Sequence, residues 1–492
     1  LIRRTAPVAY GNLREFVAAL EREGELLRIE RPLDPHLEIP EVIDRVCKTP
    51  GGGKALLFGS PTRGKAPLLA NCFGSYRRMA MALSAESIEE PAERIAGLLA
   101  KSPPEGLGDK VRTLGELMGL SKALPRHVRT GRCKEVIRQA EDASLADLPI
   151  LHCWPGDGGP FITLPMVVTA HPETGRRNVG MYRMHVYDER TTGMHWHTHK
   201  VGAGHYREHV RRGERMPVAV ALGGDPAITY AATAPLPDGI DEFLFAGFLR
   251  KEPVPLVRCE TCDLEVPADA EYVLEGYVEP GELRIEGPFG DHTGYYSLAD
   301  EYPVFHITCI TSAADPIYPA TIVGRPPMED CYIAKATERL FLPILKMTLP
   351  EIVDMNLPLE GIFHNLCIVS IRKTFPLHAR KVMNALWGLG QMMFVKMIIV
   401  VDEDVNVQDI GEVIWRLGNN TDFARDTLIW EGPVDALDHS GPRPHVGGKI
   451  GLDATRKWPS EGHSREWPPD IIMSDEVKAR IDAVWSELGI DP

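Results

Sequence analysis

Between residues 161 and 311 the chain runs in short β-branched and aromatic stretches, such as 165–170, 218–222 and 272–278, each broken off by Gly, Pro or Asp. Stretches of that length and content fit strands and cannot sustain the apolar stripe of an amphipathic helix, so this region predicts a mostly antiparallel β domain of barrel type. The flanks read differently. Asn12, with Glu15 three residues on, signals a helix start, and Leu13, Phe16, Val17 and Leu20 follow at helical spacing before Gly24. A strand at 26–29, a helix near 39–47, a Gly51-Gly52-Gly53 turn and a strand at 55–58 give an α/β alternation. Beyond Pro343 that alternation returns, with strands at 366–371 and 397–401 and helices at 378–390 and 410–417. The expected class is therefore α/β (α+β), a β-barrel between two α/β units. The Pro- and Gly-rich stretch 100–132 reads as a linker, and the last forty residues as a Trp- and Pro-rich tail with a terminal helix at 475–488 that docks on its own chain or a neighbour.

Acidic residues outnumber basic ones by 69 to 54 in the 492-residue chain, a net charge of −15, which repels a phosphate backbone and argues against nucleic-acid binding. No window holds the eighteen or so apolar residues of a spanning helix; the most apolar stretch, 391–401, is short and contains Lys396. The first residues lack the apolar core of a secretory leader. Nine cysteines, an odd number, lie scattered along the chain, the usage of a reducing compartment. Free, mostly buried thiols and a cytoplasmic location are expected.

Six of the seventeen histidines fall between 185 and 209, and in His195-Trp196-His197-Thr198-His199 an extended backbone would put three imidazoles on one face. Such a row is either a satisfied polar face or a ligand and cofactor site. Cys259 and Cys262 have zinc-knuckle spacing but no second pair nearby, and read as incidental. Residues 402–406 imitate the start of a calcium loop, yet Val407 and Val413 occupy the positions that need Gly and Glu, so a solvated strand end is expected. The densest polar stretch is 285–296. There Glu286 and Asp291 flank a Gly-Pro-Phe-Gly turn that can bring both carboxylates to one point, and one of them in an apolar pocket would have a raised pKa and act as a general acid. A tight hairpin with solvated acids is the alternative.

Longer strings carry more than any single motif: Asn178 through Arg183, Glu242 in Asp-Glu-Phe-Leu-Phe-Ala-Gly, residues 264–267, and 286–295. With 33–39, 324–327, 451–455 and 457–459 in the same order, they resemble the UbiD-type reversible decarboxylases over almost the whole chain. The resemblance implies an N-terminal α/β domain (1–125), a flavin-reductase-like split β-barrel that binds prenylated FMN (126–325), a C-terminal α/β oligomerisation domain (326–450) and a docking tail (451–492). The implied activity is non-oxidative, reversible decarboxylation of an aromatic, heteroaromatic or α,β-unsaturated acid on prenylated FMN. Mn²⁺ or Mg²⁺ would bridge protein and cofactor phosphate, with K⁺ as a further cation.

By motif, Asn178, His199 and Glu242 match the metal ligands, an oxygen-rich set that suits Mn²⁺ or Mg²⁺ better than a closed zinc site. Met181, Tyr182, Arg183, His195, Trp196, His197, Lys200 and Val201 match cofactor-contact segments, and Lys396 the phosphate-binding lysine. Arg183, Glu286 and Asp291 match the acid–base network, with either acid as proton donor. Position 291 is Asp, as in the ubiquinone-pathway branch, whereas position 195 is His where that branch has Arg. A pocket that includes His195, His197, Met328, Cys331, His364 and His445 would favour a small or bicyclic hydroxylated or heteroaromatic acid over a polyprenyl-hydroxybenzoate. The resemblance also implies a flavin prenyltransferase as cofactor supplier and a homodimer or homohexamer. Two other readings stay open: a split-barrel flavin oxidoreductase, for which no Gly-x-Gly-x-x-Gly fingerprint supplies a hydride-donor site, and a non-catalytic assembly subunit.

Overall fold

A computed structural model describes residues 9–100, 123–197, 200–237 and 239–490; His199 and most of the 100–132 stretch lie outside them. Helix Leu13–Arg22 forms as its sequence dictates. The Asn12 side chain accepts from Glu15 N–H at 3.1 Å, while the Glu15 carboxylate reaches back to Gly11 N–H at 2.8 Å. Its Leu13, Phe16, Val17 and Leu20 face is buried, and Gly24, at φ +72°, ends it. Strands Leu26–Ile29, Ala55–Phe58 and Leu68–Ala70 form a small sheet that is completed by Tyr318–Pro319, so the chain returns to its first unit after leaving the β region.

The central sheet runs Thr191–Gly193, Asp300–Ser312, Tyr272–Glu286, Met216–Leu222, Met166–Ala170, Arg177–Met181, every neighbouring pair antiparallel. Val136–Gln139 adds to Asp300–Ser312. Among the described residues the path does not close on itself. Part of the expected linker is strand: Arg126–Val128 lies parallel to Pro255–Arg258. Strand Tyr272–Glu286 also extends well past the apolar run at 272–278. Its second half is a solvated two-stranded ribbon with Asp300–Ser312, so apolar periodicity stops where the strand does not, and the ribbon carries Glu286 to its buried end.

The C-terminal unit is a five-stranded sheet in the order Ile352–Asn356, Leu366–Ile371, Met397–Asp402, Val446–Asp453, Thr427–Pro433, its three central strands parallel. Ile398 and Val400 pack with helix His378–Trp387, and Ile399 and Val401 with Val413 of helix Ile410–Asn420, which covers both faces. Helix Glu329–Thr348 joins this unit to the rest. The expected terminal helix breaks after Asp482, and Asp475–Asp482 buries no residue against its own chain. All nine cysteines are free thiols, eight of them buried. Among the described residues no helix is long and apolar enough to cross a membrane.

Candidate active site

The loop after Glu286 is fixed from several sides. Gly287 adopts φ +87°, a conformation that favours glycine. Gly158 N–H donates to the Pro288 carbonyl at 2.8 Å, and Gly290 N–H to Asp157 Oδ1 at 2.7 Å. A side chain at Gly290 would collide with the Trp154 ring, its Cβ 2.2 Å from Trp154 Cδ1. Phe289, held against Phe161 at 4.6 Å between centroids, offers its face to the Arg183 guanidinium at 4.6 Å. The turn therefore seats an arginine from a sequence-distant segment between the two carboxylates.

Arg183 Nε donates to Glu286 Oε1 at 2.8 Å, Nη1 to Asp291 Oδ2, and Nη2 to Glu286 Oε2 at 3.3 Å and Ser297 Oγ at 3.2 Å. Side-chain exposure is 10% for Arg183 and 0% for Glu286, so the pair sits away from bulk water. Burial alone would raise both acids, but other groups outweigh it. The His195 hydrogen bond and the Arg183 charge bring Glu286 down to about 2, and the charge of Arg183 with the His292 hydrogen bond holds Asp291 well below the carboxylate range. This reverses the expected raised pKa: the pocket is not apolar, because one guanidinium serves both acids.

Each acid continues into a pair of imidazoles. Glu286 Oε2 lies 3.0 Å from His195 Nδ1, and His195 Nε2 lies 2.8 Å from His197 Nε2. Asp291 Oδ1 lies 2.8 Å from His292 Nδ1, and His292 Nε2 lies 2.9 Å from His364 Nε2. The two lines differ in charge. Burial and the Arg183 charge push His195 below its usual value, so it is neutral. For His292 burial is outweighed by the hydrogen bond to Asp291 and the charges of Asp291, Asp330 and Asp435, which raise it, while burial and the His292 charge push His364 down to about 4. Of this pair His292 holds a proton more readily and His364 less readily than an ordinary imidazole, so His292 is the natural donor and His364 the acceptor.

The described part of the histidine row, 195–197, is not a strand: Trp196 N–H donates to the Met194 carbonyl at 2.8 Å, and this part turns so that His195 and His197 meet edge to face. On the far side of this turn, Trp196 packs against Tyr182, whose hydroxyl takes a hydrogen bond from Asn178 Nδ2 at 3.4 Å. Glu242 opens helix Glu242–Arg250 and accepts from Val179 N–H at 3.1 Å, which places it beside Asn178; burial lifts its carboxyl to about 7. Asn178, Glu242, Tyr182 and Trp196 thus form one group, with Met181 half-buried at the end of strand Arg177–Met181. Lys200 caps helix Val201–Arg212, and burial draws its ammonium below the usual lysine value. Val201 is exposed. Lys396 is paired with Asp438 at 3.0 Å and with Ser440 Oγ at 2.6 Å.

Sequence reasoning missed His292 as a working residue although it adjoins Asp291, and it missed Ser297. The meeting of His364 with His292 has no local signal, since 72 residues separate them. Met328 and Cys331 are buried, whereas His445 is exposed.

The family model described as the 3-octaprenyl-4-hydroxybenzoate carboxy-lyase Rift-related domain matches residues 126–326, with the corresponding N-terminal and C-terminal domains matching 17–99 and 331–454. An uncharacterised protein of Archaeoglobus fulgidus is 52% identical over 483 residues, 98% of this chain and 99% of that protein. The vanillic acid decarboxylase of Sedimentibacter hydroxybenzoicus in its closed form is 28% identical with a TM-score of 0.84, covering 98% of this chain and all of that one. HmfF, a UbiD-class enzyme of Pelotomaculum thermopropionicum in complex with FMN, is 30% identical with a TM-score of 0.78 over 93% of this chain and 97% of its own. An evolved dimeric form of HmfF is known in complex with prFMN. On matches that span the N-terminal, central and C-terminal parts, the chain belongs to the UbiD family of carboxy-lyases.

Proposed function

We propose that this decarboxylase acts on a small aromatic, heteroaromatic or α,β-unsaturated acid with prenylated FMN as cofactor, and that Arg183, Glu286 and Asp291 bind the acid and manage its proton. The observation that carries the reading is one buried guanidinium shared by two depressed carboxylates.

The residues suit the cofactor. Glu242 reaches the backbone of Val179, the neighbour of Asn178, so an amide and a carboxylate oxygen, hard donors fit for Mn²⁺ or Mg²⁺, come from one region, and His199 would complete the set. Among the described residues Trp196 Nε1–H is buried without a partner, and a side chain at Gly202 would lie 2.9 Å from it, so that space is kept clear beside that donor. Met181, Tyr182 and Val201 would line the cofactor, and Lys200 and Lys396 would take its phosphate, Lys396 exchanging Asp438 for it. A flavin prenyltransferase would supply the cofactor. When bound, prenylated FMN supplies the electron sink for the pair left behind by CO₂.

The chain's own part follows from charge. A substrate carboxylate drawn to Arg183 competes for the N–H groups that hold Asp291 and Glu286, which weakens that hold and raises both acids toward their ordinary values. An acid that was too strong to keep a proton can then carry one. His292 holds a proton more readily than an ordinary imidazole, so the Asp291 line is the better placed donor once CO₂ has left, while Glu286 and His195 keep Arg183 oriented. His195, His197 and His364 give the pocket polar hydrogen-bonding walls, which favour hydroxylated or heteroaromatic acids over a polyprenyl tail.

CO₂ release measured on reconstituted enzyme with a panel of both acid classes tests the substrate; turnover confined to prenylated hydroxybenzoates would sink that choice. Glu286→Gln and Asp291→Asn are each expected to keep the flavin and lose turnover by about 10²–10⁴-fold. Wild-type rates in either would remove that residue from the mechanism. In D₂O, deuterium should appear at the carbon that bore the carboxylate. His292→Gln should slow turnover with flavin content unchanged, and an unchanged rate would show that Asp291 is recharged by another route.

A further inference from the structure

The turn between strands Pro255–Arg258 and Glu265–Pro267 carries Cys259, Glu260, Thr261 and Cys262, none of which the reaction above uses. It is closed by Cys259 N–H donating to the Leu264 carbonyl at 2.9 Å. One carboxylate pins it to the central sheet. Glu275 Oε1 accepts from Glu260 N–H at 2.8 Å, and Oε2 from Thr261 N–H at 2.7 Å and Thr261 Oγ1 at 2.9 Å. Glu275 is wholly buried, and among the described residues its hydrogen-bond donors are all neutral and no basic side chain forms an ion pair with it. A carboxylate withdrawn from water in this way ordinarily has a cation beside it.

The sheet is irregular at this point. Glu275 pairs with Cys309 and Gly276 with Ile307, so Thr308 is an extra residue, a bulge of the kind that re-aims a side chain. Thr308 Oγ1 locks to the Glu275 carbonyl at 3.2 Å and meets Thr261 Oγ1 at 3.1 Å, which holds the bulge and the Cys turn together.

Cys259 Sγ, Cys262 Sγ and a Glu275 carboxylate oxygen all lie within 4.8 Å of one another. Metal–ligand bonds of about 2.0–2.3 Å put neighbouring tetrahedral donors roughly 3.3–3.8 Å apart, so a side-chain adjustment of about 1 Å would close the set. Glu275 Oε1 has spent one lone pair on Glu260 N–H and has another to give. Cys262 is partly exposed, which opens a way in. Two thiolates and a carboxylate around a dication leave one negative charge, far less than the three that the empty deprotonated site would carry. We propose that Cys259, Cys262 and Glu275 form a binding site for a thiophilic divalent cation of the zinc class, with water in the fourth position. Such an ion would clamp the hairpin 255–267 to the sheet. Thiolate donors distinguish it from any oxygen-ligated ion held by Asn178 and Glu242.

The test uses the full-length protein, reduced and stripped of metal by a chelator, then titrated with Co²⁺. A thiolate-to-cobalt charge-transfer band should saturate at an equimolar amount, bleach on addition of Zn²⁺, and vanish in Cys262→Ser, a partly exposed position where serine should leave circular dichroism unchanged. Asn178, His199 and Glu242 contain no sulfur and cannot give this band, so the result is independent of the cofactor reading. Absence of the band in the wild type at saturating Co²⁺ would overturn the site, as would an undiminished band in the Cys259→Ser/Cys262→Ser double variant. Glu275→Gln keeps the shape of the pin while removing its charge, and should weaken Co²⁺ binding by at least about tenfold; unaltered affinity would remove Glu275 from the ligand set.

Discussion

Lysine at position 183 is expected to cost this enzyme about 10²–10⁴-fold in turnover while leaving its flavin content near normal. Charge is preserved in that variant; the fork is not. Nε, Nη1 and Nη2 of Arg183 address Glu286, Asp291 and Ser297 separately, and a single ammonium cannot hold three partners and a substrate carboxylate in one plane. Arg183→Ala goes further, since it strands two buried carboxylates, and a loss of about 3–5 kcal/mol in unfolding free energy is expected. The pH dependence carries the signature. Glu286, at about 2 in the fold against an ordinary 4.5, stabilises the protein fully above about pH 4.5, and that contribution is lost as pH falls toward 2. Without Arg183 the folded-state value moves up toward 4.5, so the contribution is smaller and its loss is complete at a higher pH. Urea unfolding of both proteins from pH 3 to 7 measures it, and superimposable curves would show that Arg183 is not what holds the acids down.

Alanine at position 242 should release both the divalent metal and the flavin. Glu242 is the only carboxylate in the proposed oxygen set, and a dianionic phosphate in a chain of net charge −15 needs a bridging cation. The loss of flavin affinity is expected to exceed the roughly 10–100-fold that follows removal of an outer partner of a metal ligand. Metal analysis and the flavin released on denaturation give both quantities from one preparation. Stoichiometric flavin in Glu242→Ala would break the link between the two.

Local patterns reached far into this chain. The Asn12 cap, the two-faced strand Met397–Asp402 and the helix that starts at His378 were legible because each depends on neighbours a few residues away. The ribbon half of Tyr272–Glu286 was not, since a solvated strand has no apolar period to read. The same limit applied to the site. The 286–295 motif located both acids, but the direction of their pKa shifts depends on Arg183, more than a hundred residues upstream, and reading the turn alone suggested the opposite sign. Alternation in the 195–199 run suggests a strand, whereas its described part, 195–197, turns at Trp196 to seat the indole against Tyr182.

The two carboxylate–imidazole lines do not belong to the same body. The Glu286 line is assembled wholly within residues 183–286, whereas the Asp291 line ends on His364, in the C-terminal unit. Any parting of that unit from the β region severs the second line and spares the first. The second line, unlike the first, therefore exists only while the C-terminal unit sits against the β region, because His292 and His364 hang from different pieces of chain.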